Sequence, residues 1–372
     1  MSMRKIYTPR HPLILENYIM YGIVSALSRG LKPDKQYRIK VTPKGEFYEI
    51  SYPEELRIDC SSIYNDVVRA HDELIEIEKF PRRIGLLGSL GFQNEENIFK
   101  FISETTEVEN INGIYSGESL ELSERGSPCE LHGKHVKTAQ IPLAPTLGKY
   151  YSKHISDDVS LPKPRQYSIC SLCLLLALEG LLKYSTIFLI RGERYTAWIF
   201  SQLKPNTTCT ADNLNYLIVQ NQLSKRAIAR KNYMNEVPEI VVPLLVFYIA
   251  DSHVAMELSK LTPELISYKL EGVGKAPAIR SYNTYNITSL LEFISTVKGV
   301  KPEFEYTIDA LRRHVDKCVD ALTFLSLSIL AGNIDNFYDF LRLCSAYYGQ
   351  GINIRIPNEE EIRAAIQWFY RG

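Results

Sequence analysis

Four residues with the chemistry of metal ligands fall in two close pairs. Two residues separate Cys129 from His132, and Cys170 and Cys173 repeat that spacing after a long polar stretch. Each pair can form a tight knuckle, and two knuckles close a tetrahedron of thiolate and imidazole around zinc. The stretch between them carries Pro142, Pro145, Gly148, Pro162 and Pro164, so it neither runs as one long helix nor pairs as a central strand. An ion is what would order it. That ion is expected to be structural. A hydrolytic zinc keeps an open position beside a carboxylate base, and the chain has neither H-E-x-x-H nor the deaminase pairing of H-x-E with P-C-x-x-C. Against zinc stands the use of cysteine as a small buried hydrophobe, because Cys173 opens the apolar run LLLALEGLL, which reads as a buried helix. His135 or Asp157 could also complete the tetrahedron in place of His132.

The remaining chemistry is basic. Lys225, Arg226, Arg230 and Lys231 crowd the last turns of a helix expected from Asn213 to Asn232, with Arg226 and Arg230 as neighbours one turn apart. Basic residues suit the negative end of a helix dipole. This density exceeds that need and equally suits contact with a phosphate backbone. Arg82 and Arg83 are weaker candidates for the same role. The IGLLGSLGF segment that follows them matches neither G-x-G-x-x-G nor a P-loop, so it is read as a packed turn rather than a nucleotide site. Lys275 is a further candidate, in a mobile loop expected from Glu271 to Asn286, where Arg280, Tyr282 and Tyr285 interleave as in a single-strand clamp.

The elements that must position these residues are read from periodicity. Apolar residues recur at helical spacing from Leu13 to Leu27, ending near Gly30, and again from Ile63 to Phe80, where His71 is a core or boundary residue. QYRIKV and EFYEISY read as a hairpin turning at 42–45, and STIFLI and RYTAWIF as a second one directly after the LLLALEGLLKY helix. Another helix begins at Asn97, and 104–127 reads as acidic loop. Pro238 to Ala250 is read as a buried strand-like run. From about residue 303 the pattern is all helix: Leu311, Val315, Cys318, Leu322, Leu325 and Ile329 form one stripe ended by Gly332. Two further helices follow, at 334–347 and 359–370, and Asn358 with Glu361 starts the second as a capping box.

The fold class expected is therefore α+β. A mixed domain over 1–300 carries an inserted zinc-binding element at about 127–174, and a small helical bundle occupies 301–372. A chain of 372 residues can bury cores for two such domains. Lys+Arg and Asp+Glu are equal at 43 each, so any nucleic-acid surface must be local. Seven cysteines, an odd and mostly scattered set, argue against a secreted disulfide framework. The N-terminal MSMRKIYTPRHPL has no apolar signal region and no run is long enough to span a bilayer, which points to a cytoplasmic protein without membrane contact.

The stretch GKYYSKHISDD, followed by PKPRQYSICSLCLLLALEGLLKYS, resembles the large subunit of the archaeal subtype I-A CRISPR Cascade, the Cas-eight-a or Csa-four family. The specific likeness covers 129–180: a second C-x-x-C leading into an alanine- and leucine-rich helix, with a Lys-Tyr-Tyr segment and prolines upstream. Cys129 pairs with His132 where two cysteines are more usual, which still permits zinc. The resemblance implies a non-enzymatic subunit. Its partners would be the Cascade backbone and small subunits, crRNA and target DNA, and the helicase and nuclease that degrade the target. It would help recognise the PAM duplex and stabilise the R-loop, while base pairing reads the sequence. No residue for PAM reading carries over. Two other classes fit the same residues: a zinc-stabilised nucleic-acid-processing enzyme, for which no carboxylate cluster or nucleophile motif appears, and a zinc-stabilised scaffold that binds only protein.

Overall fold

In the computed structural model the described residues are 2–11, 14–31, 38–45, 47–78, 95–104, 129, 136–139, 167–190, 196–204, 206–227, 237–271 and 278–371. Their elements run β1 (Met3–Tyr7), α1 (Ile14–Ser28), β2 (Lys40–Lys44), β3 (Phe47–Pro53), α2 (Cys60–Glu78), α3 (Glu95–Ser103), β4 (Val136–Ala139), β5 (Tyr167–Cys170), α4 (Ser171–Tyr184), β6 (Ser185–Ile190) and β7 (Thr196–Lys204). After these come β8 (Cys209–Thr210), α5 (Ala211–Ala227), α6 (Val242–Phe247), α7 (Ser252–Ser259), β9 (Glu264–Glu271), β10 (Ala278–Asn286), α8 (Thr288–Val300), α9 (Phe304–Arg313), α10 (Val315–Ala331), α11 (Ile334–Gly349) and α12 (Glu359–Arg371). A mixed α/β region thus precedes a helical bundle. Among the described residues no helix is long and apolar enough to cross a membrane.

The chain packs into two compact units. The first comprises 1–203, 207–212 and 266–283, and the second 204–206, 213–265 and 284–372. At the centre of the first unit, α1 lies against α4. Helix α4 is apolar but for Glu179 and Lys183 and is buried along nearly its whole length, as such a pattern requires. The two helices meet backbone to backbone. A Cβ on Gly22 would overlap the carbonyl of Leu176, and one on Gly180 would overlap that of Tyr18, so only glycine permits this approach. Tyr21 stacks on Tyr184 with ring centroids 4.5 Å apart.

Charge is buried beside this pair. Glu179, 1% exposed, meets Arg29, receives Ser25 Oγ–H at 2.7 Å and pairs with Lys183 at 2.7 Å. Asp66 of α2 joins the network through Arg29 at 2.8 Å and Lys183 at 3.1 Å. Burial raises the Asp66 carboxyl, but the Lys183 hydrogen bond and the charges of Lys183, Arg29 and Arg69 outweigh it and hold the group below its usual range.

Three sheets organise the strands. One sheet has the order β1-β3-β2-β8, with Ile6 opposite Ile50 and Val41 opposite Ile50 on the other side. A second has the order β10-β9-β7-β6, in which the expected STIFLI and RYTAWIF hairpin places Phe188 opposite Trp198. The third is the short pair β4-β5.

The second unit is held by rings and caps. Phe293 of α8 contacts Phe304, Phe337, Trp368 and Phe369 at centroid distances from 5.3 to 6.4 Å, joining four helices around one side chain. Gly332 ends α10 in the left-handed conformation, φ 65°. The Glu361 N–H donates to Asn358 Oδ1 at 2.9 Å while Glu361 Oε2 accepts the Asn358 N–H at 2.7 Å, the reciprocal capping box expected at α12. Cys318 is fully buried in the core, as its place in the apolar stripe implies.

Four expectations are corrected. The 238–250 run is a 3-10 turn over Glu239–Val241 followed by α6, because Pro243 falls in the first helical turn, where its missing N–H costs nothing. The segment from Ala278 to Asn286, expected as loop, is β10, in keeping with its β-branched and tyrosine content. The first hairpin runs its strand through Thr42 and Pro43 and turns at Gly45, whose φ of 72° suits glycine. The all-helical portion begins at α8, before 303, and the stripe from Leu311 to Ile329 is interrupted at His314.

Candidate metal centre

Three of the four sequence-predicted ligands converge. Cys170 is the last residue of β5 and the N-cap of α4, with φ −81° and ψ 159°, and its sulfur accepts the Cys173 N–H at 3.4 Å. The C-x-x-C knuckle is thus formed by the first turn of a buried helix, whose unpaired N–H groups and positive dipole end favour thiolate. Cys129 is brought back to this point by the chain that follows it, since β4 pairs with β5 in a register that sets Val136 opposite Cys170. The Cys129 thiol hydrogen-bonds with both Cys170 and Cys173.

A histidine that the sequence did not single out completes the group. His11 Nε2 lies 3.3 Å from Cys129 Sγ, and the donor atoms of His11, Cys129 and Cys173 all fall within 4.8 Å of one another. All are buried: His11 is 2% exposed and Cys129, Cys170 and Cys173 are 0%. Among the described residues this His/Cys cluster can hold a metal ion.

The path to His11 is fixed by local hydrogen bonds. The Thr8 N–H donates to the Tyr48 carbonyl at 3.0 Å, and Thr8 Oγ1 accepts the Tyr48 N–H at 2.8 Å. Arg10 takes a positive φ of 65°, uncommon for a residue with a Cβ, with its guanidinium 4.5 Å over the Phe47 ring. Glu16 of α1 reaches back and accepts the N–H of Arg10 at 2.9 Å and of His11 at 2.7 Å. Burial raises the Glu16 carboxyl to about 7, opposed by hydrogen bonds from Thr8, Arg10 and His11.

Electrostatics without an ion favour neutral thiols. Burial pushes the Cys129 and Cys173 thiols well above the ordinary cysteine value, and interaction with the Cys170 sulfur adds to this in both. A divalent cation inverts that preference, because a coordinating thiol is deprotonated outright.

His132 lies outside the described residues, as do His135 and Asp157. Among the basic candidates, Lys225 and Arg226 belong to the last turn of α5, with side chains outside the described set, and Arg82, Arg83, Arg230, Lys231 and Lys275 lie outside it altogether. The weak signal for His11 is its setting between Pro9 and Pro12, directly after a strand, which suits a fixed loop residue more than a surface one.

With the cluster in place, comparison with known families is decisive on kinship. A family model described as CRISPR-associated protein (Cas_Csa4) matches residues 4–352. The chain belongs to the Cas_Csa4 family. No curated protein matches it. The match runs through both units, so Cas_Csa4 kinship covers the metal cluster of the first and the helices of the second as far as α11. Cas_Csa4 membership and a metal-capable cluster together support a nucleic-acid-associated, antiviral role.

Proposed function

We propose that this Cas_Csa4 protein is the large subunit of a crRNA-guided DNA interference complex. It helps recognise the PAM duplex, stabilises the opened target and docks the helicase and nuclease, while base pairing supplies sequence specificity. It has no catalytic step of its own. Zinc in the His/Cys cluster is structural, in keeping with ligands that are all buried. The observation that carries the reading is the family match over 4–352. Formal neutrality of the chain is compatible with it, because backbone contacts need only local basic surface, for which 225–231 is the leading candidate.

The test is affinity purification of the tagged protein from its native cells, with mass spectrometry and RNA extraction. Co-elution of several smaller subunits with one short class of processed RNA is the expected result. Recovery of the protein alone and RNA-free would remove stable membership of such a complex. Reversing charge at Arg226 and Arg230 in the recovered assembly should lower DNA affinity and flatten its salt dependence.

A further inference from the structure

The cluster at the head of α4 defines its own ligand set. In a tetrahedral site with zinc about 2.3 Å from sulfur and about 2.0 Å from nitrogen, N and S ligands stand about 3.5 Å apart. His11 Nε2 and Cys129 Sγ are 3.3 Å apart, already at ligand spacing. A thiol–imidazole hydrogen bond would account for that one distance. It would not account for the Cys173 thiol reaching the same point from the first turn of a buried helix, with the Cys170 sulfur beside it as the helix N-cap, accepting the Cys173 N–H at 3.4 Å. Nor would packing alone explain why a buried carboxylate is spent on holding the backbone on either side of the imidazole in place.

We infer that zinc is held by His11, Cys129, Cys170 and Cys173, a Cys₃His site in which the histidine comes from the segment after β1, and that Glu16 is a positioning residue for that histidine. This rests on the metal reading of the cluster and is independent of the nucleic-acid role. His11 takes the vertex that the C-x-x-H spacing would give to His132. On binding, three S–H groups lose their protons to solvent, and three Zn–S bonds and one Zn–N bond form. The site is left with one net negative charge, which faces the N–H groups of the first turn of α4. The ion thereby ties three segments far apart in the chain: the exit of β1, the turn at 129 and the start of α4.

The test uses the full chain without a histidine tag, measuring zinc by atomic spectroscopy and thiolate count by the charge-transfer absorption of the Co²⁺-loaded protein. The wild type should hold one ion per chain, and His132→Ala should hold it unchanged. His11→Cys, chosen because it keeps a ligand where His11→Ala could unfold the site, should retain the ion and raise the sulfur-to-cobalt intensity as three thiolates become four. Glu16→Gln presents an amide N–H to one of the two backbone donors and should weaken zinc retention against a chelator by about tenfold, the low end for outer partners of metal ligands. An unchanged cobalt spectrum in His11→Cys, or loss of zinc in His132→Ala, would overturn the ligand set while leaving the metal reading intact. A wild-type chain that neither carries zinc nor takes up Co²⁺ would overturn both.

Discussion

The two units solve the same problem of burial by opposite means. The first brings backbones together, with Gly22 and Gly180 letting α1 and α4 approach to carbonyl contact, and places polar groups inside: the Glu179 network and the His/Cys cluster. The second keeps its helices apart with large rings around Phe293 and finishes them with local caps at Gly332 and Asn358. Rings from separate helices meet in the second unit too, but its helix ends are set by caps readable within a turn or two, whereas the first unit's polar groups meet only through residues distant in the chain. Close packing of backbone leaves no room for an added atom, whereas a ring cluster that loses one ring keeps a cavity its neighbours fill only in part. The first unit should therefore be intolerant of added atoms and the second of removed ones.

Phe293→Ala carries the largest expected loss, about 3–5 kcal/mol, since a fully buried ring shared by four neighbours is deleted. Hydrogen exchange should show the greatest loss of protection in α8, α11 and α12. Gly180→Ala should cost about 3 kcal/mol, the upper end for overpacking, because the obstructing atom is a backbone carbonyl that cannot rotate away. A shift in urea midpoint equivalent to under about 1 kcal/mol would show that α1 and α4 can separate cheaply, and the contrast would fail. Asn358→Ala removes one half of a capping box and should cost about 1 kcal/mol, confined to α12.

The smallest effect is one the units should share. Asp66 in the first and Asp309 in the second are both held below the ordinary carboxylate value of 3.8. For Asp309, burial raises the carboxyl but is outweighed by hydrogen bonds from Arg313 and Arg312 and by their charges. A carboxylate with a depressed folded-state pKa adds stability that is present above its unfolded value and lost as pH falls through the folded one. Acid titration of thermal stability should therefore show a decline setting in below about pH 4, and Asp66→Asn and Asp309→Asn should each flatten it.

This contrast also explains what could be read from the chain alone. Helices α1, α2, α10 and α11, the α12 cap and the β6–β7 hairpin follow from periodicity and local turn chemistry, and they formed where those signals lay. Strand β10 did not announce itself, because its partner is β9 and a tyrosine-rich polar stretch is a loop until it is paired. The 242–247 run misled because a short apolar segment has no period to measure, and Pro243 counts against a strand but equally opens a helix. At the metal cluster, Cys129, Cys170 and Cys173 were legible as spaced thiols. His11 was not, since it lies 118 residues from Cys129 and no spacing rule spans that distance.

That separation has a consequence for how the protein is made. The first unit is not sequence-contiguous: it takes up residues 266–283 after the chain has left it at 212 to enter the second. During synthesis at about 5–20 residues per second, the polypeptide from His11 to Cys173 takes roughly 10 to 30 s to emerge. For that interval α1 waits on the ribosome without α4 to cover it, while β1 can already pair with β3. The last strands of the unit emerge later still. Its completion is therefore a late event in translation, exposed to truncation and to chaperone capture, whereas the bundle helices can pair as they appear.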